Sequence, residues 1–313
     1  MRDWPDDAPV LVTGASGLVG RAFCEALVKD GVVFRVLSRD PHRARRRVPG
    51  ARSYHSWQPM EHGSARQELV EEARAVVHLA SPLVAAGRWD HARRQALYDA
   101  CVIGTRGLVS SLAQARTRPD VLVCASSVAY YAFDATGTSE AVETEPAGED
   151  FLSRLAVDWE SAALHAEEFG VRVVLLRTGL VVGPAGAVPR LKWVSRLGMG
   201  GALAPGTQRQ PWIHVDDEVG LLLLALGDTR AAGALNAVAP HAVTSAEFMT
   251  TLATLAHGPG RLRPPRWLVH SRLGASAMAV TQGRGAVAAR ALELGYEFRQ
   301  PRLAAALEHA LAA

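Results

Sequence analysis

The sequence predicts an α/β protein, a doubly wound parallel sheet carrying a small, mostly helical C-terminal lobe, on three observations. Short apolar runs alternate with amphipathic stretches up to Arg177. A glycine-rich turn joins the first run to the first stretch. After Arg177 the rhythm stops and glycine, proline and helical segments take over. Strands separated by helices must lie parallel, because only a crossover returns the chain to the same sheet edge.

The elements follow in order. VLVTG from Val10 is the first strand, Leu18 to Lys29 a helix by its apolar spacing, and VVFRVLSR the next strand. Ala75 to Ala80 reads as a fourth strand, Trp89 to Ala115 as a long helix and Val121 to Ala125 as a fifth strand. A helix near Glu149 to Glu168 leads into VRVVLLR. The Gly- and Pro-rich passage from Gly179 to Pro211 surrounds a short helical segment and reads as an excursion from the sheet, to which WIHVDDEVGLLLLAL returns. This places a dinucleotide-binding domain over residues 8–238, with its excursion at about 180–211, and a C-terminal substrate lobe over 239–313.

Composition bounds the function. With 313 residues, 49% hydrophobic and 21% charged, the chain has a globular core and is neither disordered nor fibrous. A net charge of +3 is too small for a nucleic-acid polyelectrolyte reading. Cys24, Cys101 and Cys124 are odd in number and widely spaced, which argues against a disulfide framework or a zinc site and fits a reducing, cytoplasmic setting. The acidic, proline-containing N-terminus does not read as a signal peptide, and the longest apolar run, Leu221 to Leu226, is too short to span a bilayer. The expected partner is therefore a small-molecule substrate rather than nucleic acid or membrane, with a monomer and a homodimer both open.

The sharpest local signal is VLVTGASGLVG. Gly14, Gly17 and Gly20 follow an apolar strand and open a helix, so that Gly14, Ala15, Ser16, Gly17, Leu18, Val19 and Gly20 form the turn and first amides of a diphosphate cradle. Gly14 permits the tight turn, Gly17 the close approach of a pyrophosphate, and Gly20 the packing of helix on sheet. About 20 residues on, an acid would select a ribose 2′-hydroxyl. That place holds Ser38-Arg39, with Arg43 nearby, and a guanidinium suits a 2′-phosphate. The expected cofactor is NADP(H), with NAD(H) possible because Asp40 stands beside the arginine.

These motifs carry a family resemblance. TGASGLVG, HLAS at His78 to Ser81, VIGT at Val102 to Thr105, ASSVAYY at Ala125 to Tyr131 and WIHVDD at Trp212 to Asp217 resemble the extended short-chain dehydrogenase/reductases across most of the chain. More narrowly the chain is similar to the atypical "epimerase family" group with a C-terminal domain of unknown function. The matching features are Arg88-Trp89, DWE at Asp158 to Glu160, RTGLVVG at Arg177 to Gly183, the passage Gly200 to Gln208 and LGYEF at Leu294 to Phe298. The resemblance implies a Rossmann-type fold with NADP(H) near the first strand. It adds His78, Leu79, Ala80, Ser81, Arg177 and Gly179 to the cofactor residues, and Arg88 and Trp89 to the substrate side. The chain departs from the narrower group where Ala100-Cys101 replaces Ser-Arg and where His78-Leu79-Ala80-Ser81 replaces Asn-Leu-Ala-Gly.

The usual Tyr-x-x-x-Lys pair, in which lysine lowers the phenol pKa, is absent. The chain has no lysine between Lys29 and Lys192, and the tyrosine and lysine places hold Leu152 and Ala156, or Phe151 and Leu155. Ser126, Ser127, Tyr130 and Tyr131 remain at the end of the fifth strand. Tyr131 is the first candidate for a proton-delivering acid, with Ser126 and Ser127 beside it; core packing for the tyrosine and strand-end hydrogen bonding for the serines are the plainer alternatives. Lacking a neighbouring cation, Tyr131 is expected to titrate near phenol's value of about 10. Arg88-Trp89 reads either as a clamp for an anionic or planar substrate or as a surface arginine on a half-buried ring. His214 is expected to be structural, with Asp216 or Asp217 capping the helix that follows. His78 is expected to support the cofactor loop, and no metal is expected. Two functions stay open: an NADP(H)-dependent oxidoreductase or epimerase for a small carbonyl or alcohol, and a non-catalytic NADP(H)-binding or redox-sensing protein.

Overall fold

Alternate residues of each apolar run point to opposite faces of a strand, and this decides the layering. A computed structural model describes residues 7–58, 65–82, 90–133, 140–196, 206–258 and 285–312. The strands are β1 (Val10–Thr13), β2 (Phe34–Ser38), β3 (Ser53–Ser56), β4 (Ala75–His78), β5 (Val121–Ser127), β6 (Arg172–Thr178), β7 (Leu180–Val182), β8 (Arg209–Gln210), β9 (Trp212–His214), β10 (Gly233–Ala237) and β11 (Val243–Thr244). Seven of them form one sheet in the order β10-β6-β5-β4-β1-β2-β3, with every neighbour parallel. The connection reverses direction between β2 on one side of β1 and β4 on the other. That topological switch opens a crevice at the C-terminal ends of β1 and β4, where ligands bind in such sheets.

The helices are α1 (Leu18–Lys29), α2 (Pro41–Arg47), α3 (Gln67–Glu71), α4 (His91–Tyr98), α5 (Gly104–Gln114), α6 (Phe151–Leu164), α7 (Ala187–Val194), α8 (Val215–Gly227), α9 (Ser245–Leu255), α10 (Ala289–Glu293) and α11 (Leu303–Ala312). Val10, Val12, Val123 and Leu176 meet Phe23 and Leu27 of α1 and Leu221 and Leu222 of α8 on one face. Leu11, Leu122, Val173 and Leu175 meet Leu108 and Leu112 of α5 and Leu155 and Trp159 of α6 on the other. A third cluster joins Val182 of β7, Val188 of α7 and Trp212 of β9 to Phe248 and Leu252 of α9 and Leu307 of α11, so the excursion and the tail share one small core.

Several boundaries differ from the periodicity. The strand expected over Ala75 to Ala80 stops at His78, because the Ala80 N–H leaves the ladder for Thr13 Oγ1 at 3.3 Å. The long helix is interrupted by a π-turn over Asp99–Ile103 between α4 and α5. β5 runs on to Ser127, which brings both serines into the sheet. The periodicity does not mark β3 or β10: both are edge strands, and the polar SYHS of β3 has no apolar alternation to betray it.

Candidate cofactor groove and the buried network beneath it

The glycine turn is a shaped cradle. Gly14 has φ +69°, and a Cβ there would sit 2.6 Å from the Ala80 nitrogen, so both backbone handedness and the approach of the β4 end require glycine. A Cβ on Gly20 would sit 2.7 Å from Ala15 Cα. Gly20 therefore lets the helix close on the turn itself, rather than on the sheet as its sequence position suggests. Exposed Gly17 caps α1 in extended geometry, and no side chain bonds the first amides of the helix. Those amides and the helix dipole face the switch-point crevice.

At the β2 end, Asp40 caps α2 by accepting from the Arg43 N–H at 2.9 Å, and Ser38 Oγ accepts from the Asp40 N–H at 3.2 Å. The acid that argued for a ribose hydroxyl is thus committed to its own helix. Arg39 and Arg43 are exposed.

A directional chain of hydrogen bonds braces the β4 end. Thr105 Oγ1 donates to the Cys101 carbonyl at 2.5 Å, so toward His78 Nε2, 3.2 Å away, it accepts. His78 is buried, and desolvation pushes its pKa down to about 4, so the ring is neutral. Its Nδ1 therefore accepts from Thr13 Oγ1 at 2.7 Å, and Thr13 accepts in turn from the Ala80 N–H. His78 lies behind the loop and does not reach the crevice surface. Leu79, Ala80 and Ser81 form the rim, with the Leu79 N–H bonded to the Thr13 carbonyl.

The β5 and β6 ends correct three sequence expectations. Ser126 is the register partner of Arg177, which points both side chains to the α6 face, where Glu160 waits. Ser126 Oγ donates to Glu160 Oε1 at 2.5 Å. Arg177 forks onto the same carboxylate, Nε to Oε1 at 2.9 Å and Nη2 to Oε2 at 2.8 Å. Its Nη1 donates to the Tyr131 hydroxyl at 2.9 Å and to the Glu143 carbonyl at 3.1 Å. Arg177 is thus no cofactor contact: it is 4% exposed and its donors are spent inside the protein. Burial by itself would lower its pKa, yet the Glu160 hydrogen bonds and charge more than offset this and raise it. Tyr131 is 2% exposed, and its hydroxyl donates to Asn236 Oδ1 at 2.7 Å. Burial raises its pKa against the opposing Arg177 charge, so a cation does stand beside it, but the proton faces inward. Neither Tyr131 nor Ser126 is placed to deliver a proton to the groove. Ser127 is the groove-side serine, partly exposed, and accepts from the Ala129 N–H at 3.1 Å. Tyr130, next to it, lies with the Arg177 guanidinium 3.5 Å from its ring centroid. Gly179, just beyond β6, donates its N–H to the Ala237 carbonyl at 3.1 Å. Arg88 and Trp89 lie outside the described residues.

His214 is structural, but it is itself the cap of α8: the Asp216 N–H donates to its Nδ1 at 3.1 Å. Its proton then sits on Nε2, 3.1 Å from His309 Nδ1, so the pair is a hydrogen-bonded clasp between α8 and α11. Asp216 completes a group of three potential metal donors with these histidines, yet His214 has no lone pair left to offer at Nε2. Asp217 is not a cap: its carboxylate accepts from the Arg299 and Gln300 N–H groups at 2.7 and 2.9 Å.

Comparison with known proteins fits this geometry. Residues 10–237 match the NAD dependent epimerase/dehydratase family, and residues 264–310 match a domain of unknown function, DUF1731. The chain belongs to the NAD dependent epimerase/dehydratase family. Among its relatives, an epimerase family protein of Mycobacterium tuberculosis is 33% identical over 97% of this chain and 98% of its own length. The chloroplastic SDR39U1 homolog of Arabidopsis thaliana is 34% identical over 93% of this chain and 83% of its own. The crystal structure of human epimerase family protein SDR39U1 (isoform2) with NADPH superposes with a TM-score of 0.84 at 29% identity, covering 97% of this chain and 99% of that one.

Within this epimerase/dehydratase family member, Glu143, Asn236 and Glu218 belong to no sequence motif, yet the fold engages their polar atoms in hydrogen bonds. Asn236 is fully engaged: besides Tyr131 it donates Nδ2 to the Val287 carbonyl at 2.9 Å, and its N–H goes to Glu143 Oε1 at 3.0 Å. A polar residue within the apolar run ALNAVA, and an acid within the apolar stretch of α8, are the signals that mark two of them.

Proposed function

We propose that this chain binds NADP(H) along the C-terminal sheet edge and acts as an oxidoreductase or epimerase on a small carbonyl or alcohol compound, in a reducing cytoplasmic setting. The observation that carries the reading is the cradle. Its backbone geometry excludes a Cβ at Gly14 and Gly20 and leaves the first α1 amides without side-chain partners, which fits a diphosphate. In this reading Gly14, Ala15, Ser16, Gly17, Leu18, Val19 and Gly20 hold the diphosphate, Leu79, Ala80, Ser81 and Gly179 line the groove, and Ser38, Arg39 and Arg43 receive the 2′-phosphate. Asp40, the adjacent acid, has one carboxylate oxygen engaged as the cap of α2. The NADPH held by the human relative supports the same choice. When bound, the nicotinamide supplies hydride exchange at a carbon centre, and this chain's residues supply position and protons.

A second reading, a non-catalytic NADP(H)-binding or redox-sensing protein, draws on the apolar, buried Leu152, Leu155 and Ala156 at the places of the missing pair and on the inward-facing Tyr131. One experiment separates them. NADPH and NADH are titrated by calorimetry, and the NADPH complex is then mixed with a panel of small carbonyl compounds while nicotinamide absorbance is followed. Tight NADPH binding with turnover supports the enzyme; binding without turnover across the panel supports the second reading; no saturation with either nucleotide refutes both.

A further inference from the structure

Glu218 on α8 is 2% exposed. Its Oε1 lies 2.7 Å from Thr178 Oγ1, and its Oε2 is buried with no hydrogen-bond partner among the described residues. A carboxylate there would turn a full charge on apolar surroundings and leave one oxygen without a donor. A carboxylic acid removes the charge and leaves the donorless oxygen as a neutral carbonyl, which is less costly to bury than a carboxylate oxygen. In the ionised form Thr178 Oγ1 donates to Oε1 across 2.7 Å; in the acid the bond reverses, Oε1–H donating to Thr178 Oγ1, the Thr178 hydrogen going to the Leu176 carbonyl 3.3 Å away and Oε2 standing as a neutral carbonyl oxygen. Burial dominates and pushes the carboxyl up to about 8, opposed only by the Thr178 hydrogen bond. Among the described residues no ion pair reaches it: of the titratable groups on the packed elements, neither Arg21 nor Glu25 of α1 is paired with it, Arg177 of β6 is paired with Glu160, and His214 at the end of β9 is engaged by Asp216 and His309. Arg177 points to the opposite sheet face, and on α8 itself Asp217 is occupied by Tyr296, Arg299 and Gln300.

Thr178 is the outlet. It is the last residue of β6, half-buried, and the register partner of groove-side Ser127. The sheet order puts it three strand steps from the cradle, each step about 4.8 Å, at the same C-terminal sheet edge. We propose that Glu218 is a proton store for the groove and that the Thr178 hydroxyl relays its proton to an oxygen of the small molecule bound at the sheet edge. In the transfer the Thr178 hydrogen passes to that oxygen, the Glu218 Oε1–H passes to Thr178 Oγ1, and the resulting carboxylate regains one proton from solvent by the reverse path. The proposal rests on the cofactor-groove reading and gives the site a proton source where the Tyr-x-x-x-Lys pair is missing.

Infrared spectroscopy on rapid mixing with heavy water tests it, using wild type, Glu218→Gln, Thr178→Val and Thr178→Ser. Wild type is expected to show the carbonyl stretch of a protonated carboxylic acid at neutral pH, titrating with a midpoint near 8, and Glu218→Gln to lack it. Deuterium exchange of that band is expected to slow by about tenfold or more in Thr178→Val, to recover in Thr178→Ser, and to slow again in wild type when NADPH covers the edge. Absence of the band, its survival in Glu218→Gln, or equal exchange in Thr178→Val overturns the relay. If NADPH binds while exchange ignores Thr178, the relay falls and the cofactor reading stands; if NADPH does not bind, both fall.

Discussion

Removing the Glu160 carboxylate tests the buried network most directly. Glu160 and Arg177 side chains are each 5% exposed, and the carboxylate accepts two guanidinium donors and the Ser126 hydroxyl. Glu160→Leu leaves the guanidinium buried with only the Tyr131 hydroxyl and the Glu143 carbonyl, and breaking one side of such a pair costs about 3–5 kcal/mol. Against a total stability of about 5–15 kcal/mol this is a large fraction. Glu160→Gln keeps an acceptor and is expected to cost about 2–3 kcal/mol. The double variant Glu160→Leu/Arg177→Met removes both charges and should recover most of the loss, since an apolar replacement of a buried pair is often neutral. Urea unfolding followed by circular dichroism reads each midpoint, with the slope checked for constancy. A cost below about 1 kcal/mol for Glu160→Leu, or no recovery in the double variant, would falsify the view that this pair is a mutually compensated buried charge. Because Arg177 is spent internally, Arg177→Met in a folded protein should change NADPH affinity by less than about threefold; a loss of about 1.4 kcal/mol, or tenfold, would restore it as a cofactor contact.

Further outcomes follow from the same geometry. Gly20→Ala places a methyl against the Ala15 backbone and should abolish measurable NADPH binding and lower the melting temperature, whereas unchanged affinity would mean the turn is not the cradle. Paired Arg39→Ala and Arg43→Ala changes should weaken NADPH far more than NADH, and equal losses for both in parallel titrations would remove them from the 2′-phosphate. His78 has a folded pKa near 4 against an ordinary value of 6.5. The unfolded chain therefore binds the proton first, and stability present above 6.5 should fall as pH drops toward 4, by about 3 kcal/mol. His78→Asn should flatten that slope in urea melts across the window. Glu218 runs the other way. Its folded pKa near 8 against 4.5 makes the native state hold the proton longer, so stability should fall as pH rises from 4.5 to 8, by up to about 5 kcal/mol. Glu218→Gln should lose that dependence, and a variant with the wild-type slope would show that the group is ionised in the fold.

Local sequence is enough for the cradle. Gly14 and Gly20 sit within one strand-turn-helix unit: the positive φ of Gly14 and the Ala15 backbone against Gly20 are local, and only the approach of Leu79 and Ala80 to Gly14 comes from the distant end of β4. The alternation of β1, β5 and β6 likewise sorts side chains into two layers before any contact is known, because it depends only on the period of the extended chain. The assignment of Arg177 and Tyr131 to the groove failed for a different reason. Their partners lie far along the chain, Glu160 17 residues from Arg177 and Asn236 105 residues from Tyr131, so the direction each side chain faces depends on strand register and on which helix covers that face. The same register that turns Ser126 toward Glu160 turns Ser127 and Thr178 toward α8 and Glu218. The sequence by itself determined the layers, the glycine turn and the missing catalytic pair, since these are properties of neighbouring residues. Only tertiary packing decided which hydroxyls, acids and cations reach the groove, since burial and partner distance are set by segments that meet in space and not in order.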